Sequence, residues 1–310
     1  MKTIHMHEQQ SLIRFETTDH LVLSGLLVTR DYEQEEDILD VPILLEIHGL
    51  LGHFLARGTP RLLPHALLER GFNSLSINTR LAYAGQINGQ GIFDDVMFDL
   101  DAAVEFLTNE GFRNIFALGY SLGASMLVYW AANRIHTNLK GLILEGIHYS
   151  LPDSKRRQCA KYGSDPTYDE LYERAKGALG DDPYRSENDE TIVIYQAKGP
   201  NREPLNNEIY TYKTWWYMVG PEAYNAMSYK LIDRISLPML MIRGAFDHLV
   251  ESGEAEKLAG IARNAGNNNI RVKEIPNADH DCMENADIML DEICGMFERY
   301  SDPYPPPDTT

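Results

Sequence analysis

The chain is poor in cysteine, in positive charge and in long apolar runs, and each shortage removes a class of protein. Its three cysteines, Cys159, Cys282 and Cys294, stand far apart without a CxxC pair. Neither a disulfide framework nor a zinc site follows from that spacing, and buried free thiols are the expectation. Lys and Arg number 28 against 46 Asp and Glu, so the 310-residue chain carries a net charge of −18. Such a field repels phosphate backbones and anionic lipid, and no basic run offsets it. The opening MKTIHMHEQQ lacks an apolar core of signal-peptide length, and no stretch approaches the roughly 20 apolar residues of a spanning helix. A cytoplasmic protein without nucleic-acid or membrane partners is expected, its oligomeric state unreadable. Neither HExxH nor any other zinc-ligand spacing occurs.

What is present is an alternation of apolar strands and amphipathic helices. Residues 12–28 alternate apolar and polar positions about Thr18-Asp19-His20, the pattern of an antiparallel hairpin. An acidic turn, DYEQEED, precedes VPILLEI, an apolar run suited to a strand covered on both faces. A helix from about Pro64, the strand FNSLSI, a Gly/Asn-rich loop, a helix over 94–108, the strand NIFALG, a helix over 121–133 and the strand GLILEGI follow. Strand and helix in this order make a mostly parallel, doubly wound α/β sheet. The rhythm breaks over 150–230, which holds polar and Pro-containing stretches, the run TIVIYQ and the aromatic set Tyr210, Tyr212, Trp215, Trp216 and Tyr217. This segment reads as a cap inserted after the sixth strand, between core segments 10–149 and 231–300. Strand PMLMIRG, a helix over 252–264, strand IRVKEI and a last helix complete the core. The tail 301–310 reads as extended, because consecutive prolines cannot make helix hydrogen bonds.

The residues that carry chemistry centre on Gly119-Tyr120-Ser121-Leu122-Gly123, between an apolar strand and a helix. A sharp strand-to-helix turn presses backbone on backbone, so flanking glycines remove clashes that a Cβ would create, and the turn exposes the serine Oγ. A serine hydroxyl is a weak nucleophile at neutral pH and needs a base and an oxyanion site. The N–H groups of Leu122 and of Leu50, in the loop His48-Gly49-Leu50-Leu51-Gly52, are the candidate oxyanion donors, each worth roughly 3 kcal/mol in the transition state.

A strand followed by HGLLG, a strand–GYSLG–helix turn, and an acid and a histidine late in the chain together resemble the α/β-hydrolase superfamily over nearly all of residues 10–300, the cap excepted. The resemblance implies a triad in the order Ser121, Asp247, His280: strand PMLMIRG runs into Asp247 and strand IRVKEI into His280. His280 would take the serine proton and return it to the leaving group, while Asp247 would orient the imidazole. Asp153 is the alternative acid, at the place some members use. The implied reaction is hydrolysis of a carboxylic ester of a small-molecule acyl substrate through an acyl-enzyme, with no cofactor. Thioesterase, lactonase, peptidase, C–C hydrolase and acyltransferase chemistry use the same residues, and a ligand-binding protein without turnover is the rival from another class. Serine at the turn argues against the dehalogenases and epoxide hydrolases of the superfamily, which place aspartate there.

Other polar residues read as structural: His48 braces its loop, His53 and His248 are solvated, Arg80 anchors a loop, and Asp94, Asp95, Asp99 and Asp101 favour the positive end of a helix. Trp215, Trp216 and Tyr217 are the candidate substrate-binding residues, set to line an acyl or alcohol pocket under the cap, the alternative and commoner use of such residues being the cap's own core.

Overall fold

The computed structural model describes residues 8–30, 40–86, 90–196 and 207–303. The acidic turn at 31–37 and the tail beyond 303 lie outside these. The chain opens with the expected hairpin, β1 (Glu8–Glu16) paired antiparallel with β2 (Val22–Arg30). Strand β3 (Ile43–Ile47) is buried at every position, Glu46 included, in keeping with a run that is otherwise apolar. Helix α1 (Thr59–Glu69) starts earlier than the sequence suggests: Pro60 occupies its first turn, where a missing N–H costs nothing, and the helix continues through Pro64. Strand β4 (Asn73–Ile77), a helical turn at Phe93–Asp95, helix α2 (Val96–Asn109), strand β5 (Ile115–Tyr120), helix α3 (Leu122–Ala131) and strand β6 (Leu139–Glu145) follow.

Next come the elements read as a cap: α4 (Leu151–Tyr162), β7 (Ser164–Asp165), α5 (Tyr168–Leu179), β8 (Thr191–Gln196), β9 (Glu208–Thr211) and α6 (Tyr212–Val219). Their three strands form a small separate sheet in the order β7-β8-β9. The chain then re-enters the main sheet through β10 (Met239–Gly244), α7 (Glu254–Asn264), β11 (Ile270–Ile275) and α8 (Ala286–Tyr300).

The main sheet has eight strands in the order β1-β2-β4-β3-β5-β6-β10-β11, parallel from β4 to β11. From β3 the chain moves outward to β4 and then crosses back to β5 on the other side. The order therefore reverses between β3 and β5, and a crevice opens beyond their carboxyl ends, where parallel sheets of this kind hold ligands. On one face Leu45, Leu75 and Ala117 pack against α2 and α3; on the other Leu44, Phe116 and Ile143 pack against α1 and α8. Each such leucine, isoleucine or phenylalanine side chain contributes about 1.5–3 kcal/mol when taken out of water. The cap shares the first of these cores through Leu171, Ala175 and Trp215. It is also tied to the main body by Ile209, whose N–H donates to the Gly85 carbonyl at 2.9 Å. Among the described residues no helix is long and apolar enough to cross a membrane.

Candidate active site

Ser121 stands at the carboxyl end of β5 with φ 54° and ψ −111°, a conformation that non-glycine residues rarely adopt. Two glycines make that turn possible. A Cβ on Gly119 would lie 2.3 Å from the Gly123 carbonyl oxygen, and one on Gly123 would lie 2.5 Å from the Ile47 carbonyl oxygen. Strand β5, helix α3 and the end of β3 thus meet backbone to backbone. The Ser121 N–H donates to the Glu145 carbonyl at 2.7 Å, which ties the turn to β6.

The late acid and histidine reach this point from the neighbouring strand ends. Asp247 follows β10 and His280 follows β11, and His280 Nδ1 lies 2.8 Å from Asp247 Oδ2. The other oxygen of Asp247 accepts from the N–H groups of Leu249 and Val250, at 2.8 and 3.0 Å. Burial pushes the Asp247 carboxyl up, but the His280 hydrogen bond, the imidazole charge and these two N–H groups outweigh it and leave the pKa below the ordinary value. An ionised carboxylate only accepts, so Nδ1 of His280 donates to it. Nε2 is buried and bonded to none of the described residues, Ser121 included. Ser121 and His280 nevertheless line one cavity of ≈ 300 Å³. Serine–histidine bonds commonly tighten only when substrate is bound. Asp153, the alternative acid, is exposed on α4, and no bond joins it to His280.

Leu50 and Leu122 line the same cavity, and neither N–H donates to a carbonyl among the described residues. Leu122 opens α3, whose first N–H groups have no acceptor within the helix. The loop carrying Leu50 is braced by His48, whose Nδ1 donates to the Gly49 carbonyl at 2.9 Å while Nε2 meets Thr79 Oγ1 at 3.0 Å. Burial holds the His48 pKa down at about 4, so the ring stays neutral, and its bracing role agrees with the sequence reading.

Arg80 is likewise structural: it binds Asp99 at 2.8 Å and Asp19 at 2.9 Å. Asp99 does more than favour a helix end, because it is the buried partner of that guanidinium. His248 is half exposed, 3.0 Å from Asp279, and also borders the cavity.

The aromatic residues are placed differently from the sequence expectation. Trp215, Trp216 and Tyr217 do not line the cavity; their rings pack on Tyr168, Tyr172 and Tyr184 within the cap. Helix α6 turns Met218 and Val219 to the cavity instead. A short helix presents its whole circumference to neighbours, and composition alone did not say which side met the ligand space.

The sequence reading also missed a polar wall of the cavity that Ser121 borders. Leu151, Ser154, Lys155, Gln158 and Tyr162 of α4 line the cavity, a spacing that keeps one helix face in register. That periodicity was visible in the sequence, but its partner Glu208 lies 53 residues away on β9. His148, after β6, is a further lining residue, its ring centroid 6.0 Å from that of His280. Arg157 donates to Ser154 Oγ, which lies 3.0 Å from His148 Nδ1. Burial, and then repulsion from His280 in its protonated form, bring the His148 pKa to about 3, which keeps the ring neutral.

The family described as "Serine aminopeptidase, S33" matches residues 69–287. No curated protein matches the chain by sequence. Among solved structures, a Pyrococcus furiosus esterase superposes with a TM-score of 0.62 at 18% identity, over 95% of this chain and 91% of that one. Est1E from Butyrivibrio proteoclasticus gives 0.60 at 15% identity, over 93% and 98%. The α/β hydrolase GrgF from Penicillium gives 0.66 at 14% identity, over 94% and 99%.

Proposed function

The chain belongs to the serine aminopeptidase S33 family of α/β-hydrolases, and from that premise we propose that it hydrolyses a carboxylic ester through an acyl-enzyme on Ser121. The observation that carries this reading is the buried His280, tied through Nδ1 to Asp247, with an unpartnered Nε2 at the cavity that the strained Ser121 also borders. A buried imidazole nitrogen without a partner is costly to keep, and a proton acceptor for a substrate-activated hydroxyl is the use that explains it.

In the proposed reaction His280 Nε2 removes the Ser121 proton as Oγ attacks the acyl carbon. The N–H groups of Leu50 and Leu122 receive the oxyanion, and Asp247 stabilises the imidazolium. The imidazolium protonates the departing alcohol, and water activated by the same nitrogen releases the acid.

An ester is favoured over a peptide with a free amino end for one electrostatic reason. Among the described residues lining the cavity Glu208 is the one carboxylate, and it is engaged by Lys155, so these residues offer an α-ammonium group no unmatched negative charge. A panel of p-nitrophenyl esters of graded length, beside aminoacyl p-nitroanilides, tests this. Turnover of the esters with equal release of acid and alcohol, lost by about 10⁴-fold or more in Ser121→Ala, is expected. Faster cleavage of the anilides would make the protein a peptidase, and ligand binding without turnover would make it a receptor.

A further inference from the structure

The cavity is apolar at Leu50, Leu51, Leu151 and Met218, yet its cap wall holds a buried ion pair. Lys155 Nζ lies 2.5 Å from Glu208 Oε2, and both side chains are almost wholly buried. Tyr210 Oη donates to that same oxygen at 2.9 Å. Burying two opposite charges costs about as much in lost hydration as their attraction returns, and apolar residues of similar size would fill the wall equally well. The pair is therefore poorly explained by stability, and its place on a ligand cavity gives it another use.

The pair also lies close to the reacting end. A Cβ on Gly85 would meet both Leu51 Cδ2, at 2.6 Å, and Tyr210 Oη, at 3.1 Å. Tyr210 thus lies beside the residue that follows Leu50, one of the proposed oxyanion donors. An ammonium has three N–H donors, and among the described residues Glu208 is the one hydrogen-bond partner of Lys155. Donor capacity is left over at a cavity wall where, among the described lining residues, the charges of Lys155 and Glu208 offset one another.

Ligand chemistry follows from that balance. A ligand ammonium would face Lys155, and a ligand carboxylate would face Glu208 within a chain of charge −18. A hydroxyl suits the pair, since it accepts from the ammonium and donates to the carboxylate. We propose that the cavity selects acyl groups bearing a neutral hydroxyl a few atoms from the scissile carbonyl, held by Lys155 and Glu208. This specificity rests on the hydrolase reading above.

The test compares p-nitrophenyl hexanoate with its 3-, 4-, 5- and 6-hydroxy derivatives and with the p-nitrophenyl half-ester of adipate. In the wild-type protein at least one hydroxylated ester exceeds hexanoate in kcat/KM by about tenfold or more, and the anionic half-ester falls below hexanoate. In the double variant Lys155→Met/Glu208→Leu, which removes both charges and leaves neither unpaired, that ratio drops to within about threefold of one. Equal rates for hydroxylated and plain esters in the wild type would overturn the proposal even if the double variant did not fold. So would a preference for the half-ester, or a hydroxyl preference that survives in the double variant. Hexanoate turnover without any hydroxyl preference would sink this inference alone. Absence of all turnover together with an unreactive Ser121 would sink the hydrolase reading and this inference with it.

Discussion

The two ends of the cavity stand on different supports. Ser121, Leu50 and His280 sit at the ends of β5, β3 and β11, and every residue of β3 and β4 beside them is buried. The opposite wall stands on α4 and β9, elements outside the main sheet, and carries Lys155, Gln158 and Glu208. The sheet end fixes atoms through backbone contact, as at Gly119 and Gly123, where no side chain fits. The cap end fixes them through side-chain hydrogen bonds. Reaction chemistry should therefore be intolerant of change at the first, and substrate choice should be adjustable at the second.

The largest effect expected from this contrast separates two acids. Asp247→Asn should lower kcat by about 10⁴-fold, because the amide no longer holds the imidazole with its proton on Nδ1. Asp153→Asn, on the cap helix, should change kcat by less than about twofold. A reversal in steady-state kinetics would move the orienting acid into the cap.

Next come two glycine replacements. Gly123→Ala should cost about 3 kcal/mol or more in urea unfolding, or prevent folding, because its Cβ would strike the Ile47 carbonyl. Gly177→Ala, within α5 where the added Cβ meets nothing, should stabilise by about 0.5–1 kcal/mol. Equal effects would break the claim that backbone packing is tight at one end and loose at the other.

The last effect concerns two buried carboxyls under the sheet end. Burial raises the Glu46 pKa to about 7 despite its bond from Ser76, and burial together with Glu46 raises that of Glu145 well above its ordinary value. A raised pKa means the folded protein holds protons that the unfolded chain has released. The resulting stability is fully present below the unfolded value of about 4.3 and is lost as pH rises through the folded value. Wild-type stability should therefore decline from about pH 4.3 to beyond 7, and Glu46→Gln should remove about 2–4 kcal/mol of that decline. Parallel melting curves for the two proteins between pH 5 and 8 would contradict it.

The same contrast governs what could be read from the sequence. The main sheet was legible because its signals are local. Residues 270–275 carry a strand pattern that the structure reproduces as Ile270–Ile275, and GYSLG marks its own turn because only glycine fits there. The pairing of Asp247 with His280 was implied by the resemblance to the α/β-hydrolase superfamily, with Asp153 as the alternative acid, and the structure bonds Asp247 to His280. The cap was opaque because distant partners set its arrangement. Trp215 and Trp216 show no sign in the sequence of facing Tyr168 and Tyr172, and Lys155 finds Glu208 across a long intervening segment. His148 was passed over because a lone histidine after a strand has no distinguishing neighbour; only the closeness of His280 gives it interest.

The account turns on whether the Ser121 hydroxyl is activated by His280. Intact-mass measurement after treatment with a fluorophosphonate probe tests this most directly. The wild-type protein should gain one probe per chain on Ser121, and His280→Ala should label at least about 10³-fold more slowly while remaining folded. Failure of the wild type to label, or equal labelling rates in the two proteins, would contradict the account.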